Sequence, residues 1–290
     1  MNYTPRAKRK YSQNFFTDSD TLSVCVDMMK LQPNDHVLEI GPGTGVLTQL
    51  LIERVKHLTA IEIDRELLEL LQIELSHDDR IELIGGNFMR WPLEPWCERA
   101  PLAKRKMVAN IPYHLTSDIL MKVLNEKGLR QSGVSPELPY FSDIFMMVQN
   151  EVAQKLVAPP GSKDYGVFNI TINLAAEAEV LAILPKEFFS PRPKVDSALI
   201  HLRPRLQPVV DISEQSLFWQ LVTRIFQLRR KTLRNVLRSL DLAEDRWPVL
   251  EKNWDLQLRG ETLNLAELAA LARMLSPELG SDPSLAHAET

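Results

Sequence analysis

The chain has 290 residues, 44% hydrophobic and 25% charged, with a net charge of −4. That length suits one α/β domain of about 200 residues with a smaller companion, and the composition excludes disordered and fibrous classes. The two cysteines, Cys25 and Cys97, and six histidines that never pair at ligand spacing exclude a disulfide framework and a four-cysteine zinc site, so no metal is expected.

The N-terminus carries Arg6, Lys8, Arg9 and Lys10 without an acid and lacks the apolar core of a signal peptide. No apolar run approaches the roughly 18 residues of a membrane span. The expected setting is a reducing cytoplasm with no membrane partner. Up to residue 205, short β-rich runs alternate with helical periodicity. Strands are expected at Val37–Gly41, Leu58–Ile63, Arg80–Ile84, Lys106–Asn110, Asp143–Gln149, Glu177–Leu184 and Ser197–Arg203. Helices are expected at Thr48–Val55, Glu66–Leu75 and Thr116–Asn125. The apolar runs are nearly continuous, as in parallel strands covered on both faces. Trp91–Arg105 and Glu126–Phe141 read as surface insertions.

The prolines of His201–Ser213 mark a boundary, dividing an α/β domain over 1–205 from a helical one over 206–290. Within the second, helices are expected at Glu214–Phe226, Lys231–Ser239 and Leu265–Leu275, with a frayed tail over the last fifteen residues. Basic residues cluster again at 104–106 and at Arg224, Arg229, Arg230, Lys231, Arg234 and Arg238. A single such cluster is commonly a solvated face, but three on an acidic chain point to a polyanion. Arg230, Arg234 and Arg238, at four-residue steps, would share one helix face.

The first strand runs into Glu39-Ile40-Gly41-Pro42-Gly43-Thr44-Gly45. Glycines let a backbone turn sharply and approach a ligand, although a glycine loop alone also serves as a structural turn. At the end of the second strand stands Glu62, whose carboxylate can accept hydrogen bonds from two ribose hydroxyls. A dinucleotide site wants G-x-G-x-x-G, whereas this loop reads G-x-G-x-G with Val46 at the last position. That spacing is typical of S-adenosylmethionine sites, so Gly41, Gly43, Gly45 and Glu62 are candidate cofactor residues. Asn87, after the third strand, can accept a bond from an adenine amine; alone it reads as a turn former.

At the end of the fourth strand stands Asn110-Ile111-Pro112-Tyr113. The Asn110 amide oxygen and the Ile111 carbonyl can each accept one N–H of an exocyclic amine, holding its nitrogen in line with a methyl donor. Pro112 fixes the chain direction, and Tyr113 offers a ring for a flipped base. The plainer alternative is a strand-ending turn with a core tyrosine.

These motifs together resemble the ribosomal RNA adenine N6-dimethyltransferase family, the small-subunit dimethyladenosine transferases. The resemblance spans about residues 8–275. It rests on Gln13–Phe16, Glu39–Gly45, Ile61–Asp64, Asn110–Tyr113, Gly161–Gly166, Phe189–Ser197 and Arg229–Asn235. It implies a Rossmann-like, seven-stranded class I methyltransferase sheet with an antiparallel final strand, then a small all-α domain that binds RNA or the ribosome. It implies Asn14 and Phe16 as a lid over S-adenosylmethionine, Gly41 beside its methionine part, Glu62 on its ribose and Asn87 near its adenine. Asn110 would face both cofactor and target amine, with Tyr113 and Phe189 flanking the target base, although Phe189 read unaided is a core aromatic. The implied reaction is N6,N6-dimethylation of two adjacent adenines near the 3′ end of small-subunit (16S) RNA in an immature small ribosomal subunit, by a monomer.

The chain departs from the family pattern at Asn87, where Asp is usual, at Ser12 and at Leu228. Three rival readings are a large-subunit RNA methylase conferring macrolide resistance, a non-catalytic nucleic-acid-binding factor of the same fold, and a dinucleotide oxidoreductase. Arg229–Asn235 disfavours the first, the intact tetrapeptide the second and Val46 the third.

Overall fold

A computed structural model of the chain describes residues 15–124, 139–206, 215–240, 242 and 244–275. Asn14, the basic residues 6–10, most of the expected insertion over 126–141 and the tail beyond 275 lie outside the described residues. The described residues fall into two compact units, one formed by 15–124, 139–157 and 176–206, the other by 158–175 and 215–275. Residues 158–175 thus cluster with the helical unit, which a single cut at 205/206 does not capture.

The first unit is built on strands β2 (His36–Ile40), β3 (His57–Glu62), β4 (Ile81–Gly85), β5 (Arg105–Asn110), β6 (Asp143–Gln149), β7 (Ala176–Leu184) and β9 (Ser197–Pro204). They form one seven-stranded sheet in the order β4-β3-β2-β5-β6-β9-β7, with β9 antiparallel to both neighbours. β2 pairs in parallel with β3 on one side and β5 on the other, so the strand order reverses beside it. A crevice opens beyond the carboxyl ends of the strands at such a switch point, because the connecting helices leave in opposite directions. Helices α1 (Ser19–Met28), α2 (Val46–Ile52), α3 (Arg65–Glu74), α4 (Glu94–Cys97), α5 (Thr116–Val123) and α6 (Asn150–Leu156) belong to the same unit.

The continuous apolar runs are explained by burial. Leu38, Leu58, Met107 and Ile144 are buried on neighbouring strands, each contributing about 1.5–3 kcal/mol relative to an exposed side chain. The antiparallel strand is pinned by His201, whose ring bridges Glu179 and Asp143 at 2.9 Å on either side. A further pair of two-residue strands, β1 (Phe15–Phe16) and β8 (Phe189–Ser190), joins the N-terminal segment to the chain before β9.

The expected surface insertion at Trp91–Arg105 is largely built into the unit. Leu93 and Trp96 are buried, and the Trp96 indole donates to Thr59 Oγ1 at 3.1 Å. Its prolines and charges mark the turns, while these two apolar side chains fill the core.

The second unit comprises α7 (Val167–Ala175), α8 (Gln215–Gln227), α9 (Leu233–Arg238), α10 (Trp247–Asn253) and α11 (Leu265–Leu275). Phe218, Leu221, Val222, Leu233 and Val236 lie in its core. The expected run of arginines on one helix face does not form. The chain leaves the helix after Gln227 because Leu233 and Arg234 donate their backbone N–H to Leu258 and Leu256 carbonyls, at 2.7 and 3.0 Å. Arg230 therefore sits in a turn, apart from the helix that carries Arg234 and Arg238. Among the described residues no helix is long and apolar enough to cross a membrane.

Candidate active site

A cavity of about 310 Å³ opens at the carboxyl ends of the first unit's central strands. That is enough for a nucleoside-sized ligand. Glu39, Gly41, Gly43, Glu62, Asn87, Asn110 and Ile111 all line it, as do Phe15 and Phe16. The loop after β2, the tip of β3, the turn after β4 and the tip of β5 therefore meet in one place, although they are distant in sequence.

The glycine loop is shaped for close approach. At Gly41 the backbone turns at φ +72°, in the left-handed region that favours glycine, and a Cβ there would make ordinary contacts with Ile111 Cγ2 at 3.5 Å and the Asn110 carbonyl oxygen at 3.8 Å. Gly45, at φ +82°, caps α2, and a Cβ there would fall 2.7 Å from Leu71. Gly45 is thus held by helix packing and is absent from the cavity wall.

Glu62 ties the loop to its neighbour: its carboxylate accepts the Gly43 N–H at 3.0 Å and the Asp64 N–H at 2.7 Å. Burial raises its pKa, and these backbone bonds oppose the rise. Each oxygen uses one acceptor site on the protein and keeps another, which matches a pair of vicinal hydroxyls.

Glu39 is the residue whose importance sequence reasoning missed. It is 1% exposed, and neither of its oxygens, nor the Thr48 hydroxyl beside it, makes a hydrogen bond with any described group. Burial pushes its carboxyl up to about 8, with Thr48 lowering and Glu62 raising it. An orphaned buried carboxylate is costly, and a cation presented from the cavity would satisfy it. The period of its strand gave no signal, because Glu39 occupies a position expected to be apolar.

Ile63 and Met89, 49% and 37% exposed, put apolar surface on the cavity rim. They suit the two faces of a purine, yet in sequence they read as ordinary strand and turn residues. Asn87 Oδ1 accepts the Met89 N–H at 2.9 Å, capping the short turn Phe88–Arg90, so one of its acceptor sites is already engaged. Lys122 fastens the same turn from α5. Its ammonium donates to the Phe88 and Trp91 carbonyls, at 2.6 Å each, and lies 4.6 Å from the Phe88 ring centre. Burial lowers its pKa.

The Asn110 side-chain amide makes no hydrogen bond with any described residue and lines the cavity together with Ile111 and Pro112. Tyr113 is half-buried beyond them, its hydroxyl 2.6 Å from Ser197 Oγ. Phe189 sits elsewhere: it is 3% exposed, with its ring edge-on to Phe16 at 4.8 Å. Phe16 is likewise buried, and the ring lying against the glycine loop is Phe15, 3.2 Å from where a Gly43 Cβ would be. Gly161–Gly166 belongs to the second unit, where Arg229 donates to the Ser162 and Lys163 carbonyls at 2.9 Å and pairs with Glu261. Among the described residues no cluster of His, Cys, Asp or Glu could hold a metal ion.

A buried carboxyl that a cation would ionise, a diol-matching carboxylate and an apolar rim fit a ribonucleoside with a cationic tail. The free acceptors of the β5 tip stand at the same cavity.

The chain matches the family model described as ribosomal RNA adenine dimethylase over residues 4–258. It is 37% identical over 281 residues to the ribosomal RNA small subunit methyltransferase A of Geobacillus kaustophilus, covering 94% of this chain and 92% of the relative. The protein of the same name from Caldanaerobacter subterraneus is 36% identical, over 93% of this chain and 97% of the relative. Among solved structures, the 23S rRNA methyltransferase ErmE superposes with a TM-score of 0.66 at 25% identity, covering 90% of this chain and 99% of that one. A dimethyladenosine transferase from Plasmodium falciparum shares the fold, with a TM-score of 0.66 at 22% identity and coverage of 90% and 95%.

Proposed function

The chain belongs to the ribosomal RNA adenine dimethylase family, and we propose that it uses S-adenosylmethionine to dimethylate N6 of two adjacent adenines near the 3′ end of 16S RNA in an immature small subunit. It does so as a cytoplasmic monomer. The observation that carries this reading is the Asn110 amide, without a hydrogen bond among the described residues, opening onto the cavity that also holds Glu39 and Glu62. Small-subunit enzymes are favoured because relatives that share 36–37% identity over 93–94% of this chain bear the small-subunit name.

The donor supplies a methyl already activated on a cationic sulfur, so the chain needs no nucleophile of its own. The residues act by position. Glu39 would hold the cationic amino-acid end and Glu62 the ribose hydroxyls. Ile63 and Met89 would cover the base, with Asn87 at its edge and Phe15 closing over the glycine loop. Asn110 Oδ1 and the Ile111 carbonyl would each accept one N–H of the target amine, drawing its lone pair out of conjugation and toward the methyl. Tyr113 would stack on the extruded adenine. No general base is assigned, because the proton can leave to water once the nitrogen is cationic. Phe189 would reach the second face of the target base by turning its ring out of the packing against Phe16. Asn14 remains an assignment by family pattern.

In the direct test, the protein is incubated with labelled S-adenosylmethionine and small subunits lacking the modification, and the RNA is digested. Dimethyladenosine from the 3′ region of 16S RNA is expected, and its absence would refute the reading. In a parallel reaction with unmodified large subunits, product found only there would favour the rival methylase. Asn110→Ala should abolish transfer while leaving RNA binding intact, and retained dimethylation would remove Asn110 from its role.

A further inference from the structure

The Tyr113 hydroxyl and Ser197 Oγ, 2.6 Å apart, join segments far apart in the chain. Ser197 opens β9 and is fully buried. Its backbone pairs with Gln149 on one side and Leu184 on the other, so the sheet delivers its hydroxyl at a fixed point. The preceding residue is anchored as well: the Asp196 carboxylate accepts the Lys186 N–H at 3.0 Å, and its carbonyl accepts the Asn150 N–H at 2.9 Å. At the other end of the bond, Tyr113 begins a short turn capped by Pro112, whose ring restricts the backbone. A tyrosine fixed at its Cα and at its hydroxyl retains little freedom in the plane of its ring.

We propose that Ser197 is a positioning residue for methyl transfer, its hydroxyl setting the Tyr113 ring as a platform on which the target adenine stacks beside Asn110. The proposal rests on the reading of Tyr113 as that platform. Ser197 needs no contact with RNA or cofactor to act, because preorganising a stacking surface lowers the entropy lost when the base is captured. Burial also raises the Tyr113 pKa, which keeps the phenol neutral and the bond to a neutral hydroxyl intact across the working range.

The test uses the full-length protein on unmodified small subunits under single-turnover and steady-state conditions. Ser197→Ala and Tyr113→Phe remove the same bond from opposite ends, so a folding defect in one does not decide the matter. Each should lower kcat about tenfold, with KM for the methyl donor and affinity for the subunit unchanged. Their double variant should be no slower than either single one, since the bond can be lost only once. Wild-type kcat in Ser197→Ala, or multiplied effects in the double variant, would overturn the proposal. Tyr113→Ala separates the two levels. If it is fully active, the platform reading itself falls; if it is inactive while Ser197→Ala matches wild type, only the role of Ser197 falls.

Discussion

Glu39→Gln should uncouple methyl-donor binding from protons. In the ligand-free protein the Glu39 carboxyl is buried without a partner and titrates at about 8 instead of its ordinary 4.5. Below pH 8 it is therefore mostly neutral, whereas holding a cationic tail requires it ionised, and binding must release close to one proton. Each pH unit below 8 then costs about 1.4 kcal/mol of binding, or a factor of ten. Lowering the pH from 7.5 to 5.5 should weaken S-adenosylhomocysteine binding about a hundredfold. Titration calorimetry in buffers of different ionisation enthalpy reads both the affinity and the proton count. Glu39→Gln, which cannot ionise, should bind more weakly at pH 8 and show a flat profile between 5.5 and 7.5. The same shift acts on the ligand-free fold with a fixed sign. The folded pKa lies above the unfolded one, so the Glu39 contribution is lost as pH rises from 4.5 to 8, and Glu39→Gln should flatten that fall. A wild-type protein that binds with no proton release, or a glutamine variant with the same pH slope, would refute the reasoning.

Lys122→Met keeps the aliphatic stem but leaves the Phe88 and Trp91 carbonyls without their donor. Hydrogen bonds from a charged group contribute about 1.5–3 kcal/mol, so S-adenosylhomocysteine affinity should fall at least about tenfold with subunit binding unchanged; equal affinity measured by calorimetry would exclude a role for that clamp. In the second unit, Arg224, Arg229 and Arg234 are engaged with Ser239, Glu261 and Glu251, whereas Arg230, Lys231 and Arg238 are exposed. Converting these last three to Ala should reduce the slope of log affinity for RNA against log salt by about 2, at about 0.7–0.9 for each phosphate that is no longer neutralised. The same change in Arg229 should instead lower the melting temperature, because it braces the carbonyls of Ser162 and Lys163.

The sheet was legible because its strands are buried on both faces and therefore read as short, continuous apolar runs. Asp143–Gln149 matches to the residue, and the other six strands fall within a residue at each end. What escaped was structure specified by single polar groups. Helix α1 begins where Asp18 accepts the Thr21 N–H at 2.8 Å, a cap that its weakly periodic sequence does not advertise. The break between α8 and α9 is imposed by the carbonyls of Leu256 and Leu258, residues well downstream of it. Four-residue spacing of arginines could not foresee that, since it assumes the helix whose existence is in question.

The site shows the same division. That Gly41, Glu62 and Asn110 line one cavity was legible because each stands at or just past a strand tip, and strand tips can be read from the pattern. Glu39 was invisible for the opposite reason: its significance lies in what it lacks. A carboxylate inside an apolar strand could equally have met an arginine or a capping N–H, as Glu62 met two. Only the fold reveals that Glu39 met neither. The two glutamates line one cavity with different remaining capacity, one with acceptor sites left over and one buried with no hydrogen bond, ready to ionise against a cation. Under the proposed function that difference would orient a ligand, with its hydroxyls toward Glu62 and its positive charge toward Glu39. Gly41, Asn110 and Ile111 line that same cavity. Under the proposed function, the reactive group of such a ligand shares its cavity with the β5 tip.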